Sequence, residues 1–347
     1  MTRITRRSAL AALAGLALSG CASKPRVVLY CSQDREFALG ILDDFSKESG
    51  LEVTPKYDTE AKKSVGNYVE IVAEKGRPRC DVFWNNEVLN TIRLHRLGLL
   101  EAYDSPKALP YPEWARGEGD AWHAFAGRAR VLIVNTKLLA EDERPKGLLD
   151  LTQRRYKDRV VMAVPEFGTT ATQAACLFEV LGTAKAKDFY QRLNANGVQL
   201  APGNKQVAEW VGQGVTIRGK AAAVGVTDTD DAMSEVRAGR DVAVVFPDAG
   251  ANEGRMGTLF IPNTVMIVKG CPNPDGARKL VDFLLSESVE ARLAEGPSAQ
   301  IPLNPQVKAE LPPQIEAGRR AKPMLVDWAK AADLWDQSQE FLVKEFA

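Results

Sequence analysis

Acidic and hydroxyl residues directly follow three predicted strands of this 347-residue sequence, at positions 32–36, 85–87 and 227–231. Ligands of open α/β sheets bind beyond the carboxyl ends of the strands, so these segments are expected to converge on one site. Carboxylate and hydroxyl oxygens are the ligands that hard cations prefer. The pattern therefore predicts a cation site whose candidate metal ligands are Asp34, Glu87, Asp228 and Asp231.

A wider set of residues is expected around the same ligand. Gly168 precedes two threonines at a predicted helix start, where exposed backbone N–H groups suit an anion. Arg128 and Arg130 lie on a predicted crossing strand, where one faces that anion or pairs with a surface carboxylate. The candidate ligand-binding residues are Ser32, Asp34, Trp84, Asn86, Glu87, Thr169, Thr170, Thr227 and Asp228.

The same residues also have purely structural explanations. Aspartate and threonine at the end of a strand commonly cap the helix that follows, and negative charge there complements the helix dipole. Asp34 and two of the three aspartates at 227–231 are suited to such roles, and Thr169 is suited to an N-cap. Trp84 either lines the cleft or completes a core strand. Position along the chain leaves these alternatives open.

Catalysis is not predicted. The sequence has two histidines: His95 is expected to face solvent on an amphipathic helix, and His123 is expected in a loop. Neither a Gly-x-Ser-x-Gly elbow nor a Gly-x-x-x-x-Gly-Lys-Ser/Thr phosphate loop occurs. Paired carboxylates alone would permit glycosidase chemistry in an envelope hydrolase, and nothing else indicates it. We therefore expect a binding protein that requires no cofactor.

Predicted strands and helices alternate in two blocks, which is typical of parallel sheets with crossover helices. The length suggests about two domains. Extended runs at 128–135 and 259–268 would carry the chain between the blocks. We predict an α/β, two-lobe fold with parallel-core sheets and a ligand cleft between the lobes. The expected boundaries are 26–126 for the first part of lobe 1, 127–258 for lobe 2, and 259–347 for the return to lobe 1 plus C-terminal helices.

The first 21 residues have the features of an export signal. Arg6 and Arg7 precede an apolar run at 8–18, which is far shorter than the roughly 20 residues of a membrane-spanning helix. Leu-Ser-Gly-Cys at 18–21 resembles a bacterial lipobox, which implies cleavage before Cys21, lipidation of its sulfur and a lipid-anchored place in the periplasmic or extracytoplasmic envelope. The paired arginines also resemble a twin-arginine signal, so export by the Sec or the twin-arginine route stays open. Secretion without a lipid anchor is the alternative.

The net charge argues against nucleic acid as a partner, and the cysteine spacing argues against a zinc site. Lys plus Arg (45) equals Asp plus Glu (45), so no long-range field favours nucleic acid. The cysteines beyond the signal are widely spaced and include no CxxC pair of the kind that binds zinc. They are expected to be buried and free, at Cys31, Cys80, Cys176 and Cys271.

Several segments, in their order and spacing, resemble the type II periplasmic solute-binding proteins of ABC importers, in particular the ferric-iron-binding branch. The matching segments are residues 28–34, 81–87, 98–100, 127–135, 165–171, 225–231, 260–262 and 277–286. The resemblance implies a monomer that closes its two lobes on a ligand and delivers it to an ABC permease and its ATPase. It also implies iron or another metal as cargo.

The sequence departs from that branch at the metal ligands. The branch carries an adjacent tyrosine pair in the second lobe, where this chain has Asp228 and Thr229. Its histidine position falls at Asp34 and its glutamate position at Asn86, beside Glu87. A small organic ligand (a phosphonate, a sugar phosphate or a polyamine) is therefore the alternative cargo.

Overall fold

The computed structural model describes residues 25–58, 65–250 and 256–347. The predicted signal segment, including Arg6, Arg7 and Cys21, lies outside these residues. The first half alternates strand and helix as predicted, in the order β1 (Arg26–Cys31), α1 (Arg35–Ser49), β2 (Glu52–Tyr57), α2 (Val65–Ala73), β3 (Val82–Asn85), α3 (Leu89–Arg96) and β4 (Leu100–Glu101). β1 pairs in parallel with both β2 and β3. We call this half lobe 1.

Lobe 2 follows the long strand β5 (His123–Asn135) and repeats the alternation. Its elements are β6 (Val160–Ala163), α4 (Gly168–Val180), α5 (Thr183–Ala195), β7 (Gln199–Ala201), α6 (Asn204–Gln213), β8 (Thr216–Ile217), β9 (Lys220–Ala221), β10 (Val224–Asp228), α7 (Thr229–Arg237) and β11 (Val242–Val245). Short 3₁₀ turns lie at Pro106–Ala108, Glu113–Ala115, Glu118–Asp120, Glu141–Glu143, Leu148–Thr152 and Arg154–Tyr156. All four residues of β6 are buried, as in a parallel strand covered on both faces.

The chain ends with β12 (Phe260–Val268), α8 (Pro274–Leu284), α9 (Glu287–Glu295), α10 (Pro313–Gly318), α11 (Trp328–Asp333) and α12 (Trp335–Glu345). β12 returns the chain to lobe 1, where it pairs antiparallel with β3. The last two helices also contact lobe 2. Arg96 on α3 pairs with Asp333 on α11 at 2.6 Å, whereas Asn194 on α5 donates to the backbone oxygen of Glu345 at 2.8 Å. The C-terminal helices therefore span both lobes.

Two strands cross between the lobes. Within the described chain the strands run in the order β2-β1-β3-β12-β5-β10-β6-β7, with β4 beside β12 and β11 beside β5. β5 pairs with β12 over 123–129 and with β10 over 130–134. All 13 residues of β5 are buried, so this strand forms a continuous core between the lobes. His123, expected in a loop, instead begins β5, because it pairs with Val265 of β12.

The buried core contains the four cysteines that the structure describes, and all are free, as predicted. Burial raises the pKa of the Cys80 and Cys176 thiols well above the usual range, which keeps them protonated. Among the described residues, no helix is both long and apolar enough to cross a membrane.

Candidate functional site

A small polar cleft lies where the carboxyl ends of β1, β3 and β10 approach the start of α4. Its lining comes from both lobes and comprises Asp34, Asn86, Arg128, Ala163, Val164, Phe167, Gly168, Thr169, Pro202, Gly203, Asn204, Asp228, Asp230 and Asp231. The cleft is partly open to solvent and has a cavity volume of about 20 Å³. A single water molecule needs roughly 10–15 Å³ on this measure. In this conformation the cleft therefore has room for one ion-sized occupant.

Three aspartates form the acidic side of the cleft. Oxygens of Asp228, Asp230 and Asp231 lie within 4.8 Å of one another. The side chains of Asp228 and Asp230 are buried, and that of Asp231 is partly buried. Asp34 lines the same space from lobe 1. Two of these residues also occupy N-cap positions, Asp34 before α1 and Asp228 before α7, but within these described helices neither side chain makes a capping hydrogen bond. Their carboxylates are not used as helix caps.

Arg128 lies beside these carboxylates on β5. Its Nη1 is 3.5 Å from Asp230 Oδ2, and its Nη2 donates to Gln33 Oε1 at 2.7 Å and to Asn263 Oδ1 at 3.0 Å. Burial opposes the charged guanidinium, but the surrounding aspartates, Asp230 foremost, raise the pKa of Arg128 above its usual value. Arg128 therefore stays charged and neutralises only part of the acidic group.

Asp228 is held by a second buried arginine and by the start of α4. Arg130 Nη1 donates to Asp228 Oδ1 at 2.8 Å. The hydroxyl of Thr169 donates to Asp228 Oδ2 at 2.5 Å, and Asn204 Nδ2 donates to the same oxygen at 3.2 Å. Arg130 also donates to Thr170 Oγ1 at 3.3 Å. This network fixes both oxygens of the Asp228 carboxylate.

Comparison with known proteins identifies the family. Residues 92–333 match the family described as bacterial extracellular solute-binding protein. The chain belongs to this family. An uncharacterized protein of Haemophilus influenzae is 30% identical over 292 residues, which cover 79% of this chain and 77% of that protein. The major ferric iron-binding protein of Neisseria meningitidis serogroup A is 25% identical over 281 residues, covering 77% of this chain and 78% of that protein.

The fold is also seen in a solved structure. The periplasmic binding protein AfuA from Actinobacillus pleuropneumoniae, determined with fructose-6-phosphate bound, superimposes with a TM-score of 0.78 at 24% identity, over 93% of this chain and 99% of that chain. This likeness confirms the predicted two-lobe fold, and the family match confirms the predicted resemblance. Members of the family are described as binding proteins that act outside the cytoplasm, in agreement with the prediction of an extracytoplasmic binding protein.

The cleft of this solute-binding protein brings together some of the predicted site residues. Asp34, Asn86, Thr169, Asp228 and Asp231 line it. Of these, Thr169 uses its hydroxyl to bind Asp228, and within the described helix α4 the N-cap residue is Phe167, without a side-chain cap. The position of Thr169 is therefore explained by its hydrogen bond to the Asp228 carboxylate and not by helix capping.

Glu87 lies outside the lining and is fully buried. One carboxylate oxygen accepts from Asn85 Nδ2 at 2.8 Å, and the other accepts from the Leu89 backbone N–H at 2.6 Å and from Thr172 Oγ1 at 3.1 Å. Burial raises the pKa of Glu87. The carboxylate therefore caps α3 and contacts α4 of the opposite lobe, and in this conformation it does not face the acidic group.

Four other predicted residues also point elsewhere. Trp84 is fully buried and packs on Phe125, with 5.5 Å between ring centroids. Ser32 donates to Asp58 at 2.6 Å. The hydroxyls of Thr170 and Thr227 donate to the side-chain and backbone oxygens of Asn204 at 3.1 and 2.9 Å. Thr170 and Thr227 therefore bind Asn204, which itself lines the cleft.

Sequence reasoning missed Asn204, Gly203 and Phe167 as lining residues. Asn204 and Gly203 directly follow β7, so the strand-end rule that selected Asp34 and Asp228 applies to them as well. An asparagine after a strand is also a common turn or cap residue, so its type alone does not mark Asn204 as a lining residue. Phe167 lies within residues 165–171, one of the segments that carry the family resemblance, but its apolar side chain did not indicate a site.

Proposed function

We propose that this solute-binding protein captures a small hard cation, iron or another metal, between Asp34 of lobe 1 and the aspartates that follow β10. The observation that carries the proposal is the convergence of four carboxylates on a space of about 20 Å³. Four carboxylates face two guanidinium groups, Arg128 and Arg130, so the cleft has an excess of negative charge. Such oxygen-rich, acidic sites favour hard cations.

Iron is supported by the Neisseria relative, whose name describes ferric iron binding. The described residues that line the cleft include no tyrosine, histidine or cysteine, so the donors are carboxylate, amide and hydroxyl oxygens. Divalent and trivalent hard cations both accept such donors. We therefore propose a hard metal ion as cargo and leave the choice between iron and another metal to measurement.

A cation shared between the lobes would stabilise their closed arrangement. Because Asp34 and the β10 aspartates come from different lobes, a cation that contacts both binds the closed state better than an open one. Two further contacts accompany this arrangement: Thr172 donates to Glu87 across the lobes, and Lys205 lies 3.5 Å from Glu36 at the rim. This geometry supports capture by hinge closure.

Delivery to an ABC permease and its ATPase, by a monomer anchored through a lipidated Cys21, belongs to the same proposal. Its support is the family membership and the lipobox-like residues 18–21. Incorporation of tritiated palmitate tests the anchor: the wild type should be labelled and bound to membranes, whereas Cys21→Ala should incorporate no label and should be released. Unchanged labelling in that variant contradicts it.

The first experiment is a thermal-shift screen of the mature chain from Ala22 with ferric citrate, divalent metals, phosphate, phosphonates, sugar phosphates and polyamines. A cargo at 100 times its Kd adds about 2.7 kcal/mol of stability. We expect a shift with a metal that chelator abolishes. Asp230→Ala and Asp231→Ala should remove the shift, and the control Asp241→Ala should keep it, because Asp241 is half-exposed and pairs with Lys137 at the surface. A chelator-resistant shift with an organic ligand alone contradicts the metal cargo.

An organic ammonium group is the second candidate, because the same carboxylates would hold it. The observation in its favour is the acidic cleft itself, and the small cavity volume opposes a bulky ligand in this conformation. A thermal shift with a polyamine that is unaffected by chelator and lost in Asp230→Ala would support an organic ammonium cargo.

A further inference from the structure

Three side-chain donors lie at the start of α4. α4 has 13 residues, and it begins at Gly168, whose φ of 58° turns the chain into the helix. Helix starts attract anions through their unpaired N–H groups and the helix dipole. Beside this start lie the guanidinium of Arg130, the hydroxyl of Thr169 and the amide of Asn204, whose donors converge on a single carboxylate.

That carboxylate belongs to the chain itself. Asp228 Oδ1 accepts from Arg130 and Asp228 Oδ2 accepts from both Thr169 and Asn204. An ionised carboxylate has about four acceptor positions, so this network uses three of them. Arg130 is fully buried, and Asp228 is 3% exposed. An exogenous anion at this helix start would have to displace a buried, charge-paired group.

Removal of the Asp228 carboxylate should be unfavourable because Arg130 beside it is charged and buried. A buried guanidinium without an opposite charge is strongly unfavourable, so removal of its partner leaves an uncompensated charge. Apart from Asp228, the hydrogen-bond acceptors of Arg130 among the described residues are neutral: it donates to Gln173, Thr169, Thr170 and Asn204. Among the hydrogen-bond acceptors of Arg130 that the structure describes, Asp228 is therefore the one with a negative charge.

We infer that Asp228 is a resident anion: it occupies an oxyanion-binding site formed by Arg130, Thr169, Asn204 and the start of α4, and so excludes phosphate and phosphorylated cargo from it. The inference rests on the proposed function only in placing the cation beside Asp228. Loss of the Asp228 side chain converts the same pocket into a site for phosphate or a small carboxylate, because the donors remain and the space is vacated.

The test compares wild type, Asp228→Ala and the surface control Asp241→Ala, each as the mature chain without added metal. Thermal midpoints are measured in buffers that contain chloride alone, inorganic phosphate or acetate at constant ionic strength. We expect the midpoint of Asp228→Ala to lie below that of wild type in chloride and to rise with phosphate or acetate concentration. The midpoints of wild type and Asp241→Ala should stay flat.

Asp228→Asn serves as the second variant, because its amide fills the vacated space without supplying charge; it should be destabilised and should respond less to phosphate than Asp228→Ala. If Asp228→Ala does not fold in chloride, refolding in phosphate is scored instead, and recovery in phosphate but not in chloride is the expected result. A folded Asp228→Ala with a flat midpoint, or no recovery in any anion, overturns the inference. An equal phosphate response in wild type also overturns it.

These outcomes are separable from those of the proposed function. The anion response is measured without metal, so a wild-type protein that binds no cation contradicts the proposed function and leaves the anion result to be judged by itself. Conversely, a wild type that binds a metal while Asp228→Ala shows no anion response retains the proposed function and loses the resident anion.

Discussion

Two arginines that lie two residues apart on β5 have different charge environments. Residues i and i+2 of a strand share a face, so Arg128 and Arg130 both point toward the cleft. Arg130 is paired at 2.8 Å with Asp228, whereas Arg128 lies 3.5 Å from Asp230 and lines the cavity. The sequence predicts that both arginines lie on a crossing strand, but it does not predict which carboxylates they pair with. Local spacing cannot decide that question, because the partners lie about 100 positions away along the chain.

His123 supplies a prediction about pH at the residue scale. Its Nε2 lies 2.8 Å from the Tyr103 carbonyl oxygen and therefore carries the proton, while its buried Nδ1 has no hydrogen-bond partner among the described residues. Burial lowers the pKa of His123 below 6.5. The unfolded chain thus takes up this proton at a higher pH than the folded chain, so the free energy of unfolding should fall as pH drops below the unfolded pKa of about 6.5.

Replacement by glutamine isolates that effect, because His123→Gln retains a donor for Tyr103 but does not titrate. Urea unfolding of both proteins between pH 7.5 and pH 5 gives the measurement. We expect the difference in unfolding free energy to move in favour of the variant as the pH falls, until the folded pKa is reached. A difference that is independent of pH would show that burial does not depress this pKa.

Neighbouring residues at the end of β3 show how far the elements were predictable. Strand and helix alternation located β3, α3 and the turn between them, and the strand-end rule selected both Asn86 and Glu87. The turn then directs Asn86 into the cleft and Glu87 onto the N–H groups of Leu89 and Asn90. A capping carboxylate and a cation ligand have the same sequence signal, since both require an acidic residue after a strand. The structure separates them.

β10 and α6 make a close approach that positions Asn204, and this approach depends on a glycine. A Cβ atom at Gly225 would lie 2.5 Å from Val207 Cγ1 and 3.1 Å from Val211 Cγ2, both on α6. Gly225→Ala should therefore push α6 away from β10 and destabilise the protein by about 1–3 kcal/mol. Because α6 begins at Asn204, which donates to Asp228, cation affinity should fall as well.

Chemical denaturation and titration calorimetry of Gly225→Ala measure the two effects. Gly76→Ala is the matched control, because a Cβ at Gly76 meets nothing within 4 Å. We expect it to change the unfolding free energy by less than about 1 kcal/mol. If Gly225→Ala is as stable as this control, then α6 does not pack as closely on β10 as the structure shows.

At the scale of the whole molecule, two crossing strands and the C-terminal helices connect the lobes, and polar contacts join their facing surfaces. One buried contact is the hydrogen bond of 3.1 Å from Thr172 on α4 to Glu87 before α3. The rim contact is the ion pair between Lys205 and Glu36, whose side chains are each 61% exposed. Exposed pairs contribute about 0–1 kcal/mol, so the buried bond should contribute more to the closed arrangement.

Thr172→Val tests that ranking, because it removes the hydroxyl without adding a polar group. Loss of one buried hydrogen bond costs about 0.5–1.5 kcal/mol, and more where its acceptor is charged, which corresponds to a loss of about 2- to 13-fold in affinity for a cargo that requires closure. Thr172 is not among the residues that line the cleft, so this loss would act through the contact between the lobes. The measurement is titration calorimetry with the cation that gives the largest thermal shift.

Thr152→Val is the control, since it removes a hydroxyl that donates at 3.0 Å to the Leu149 backbone oxygen within one 3₁₀ turn of lobe 2. It should leave cation affinity unchanged. Glu36→Ala should reduce affinity by less than about fivefold, and this reduction should disappear at high salt, because an exposed pair is screened. Equal affinities for Thr172→Val and wild type would mean that this buried contact does not determine how readily the lobes close. A larger loss in Glu36→Ala than in Thr172→Val would place the decisive contact at the rim.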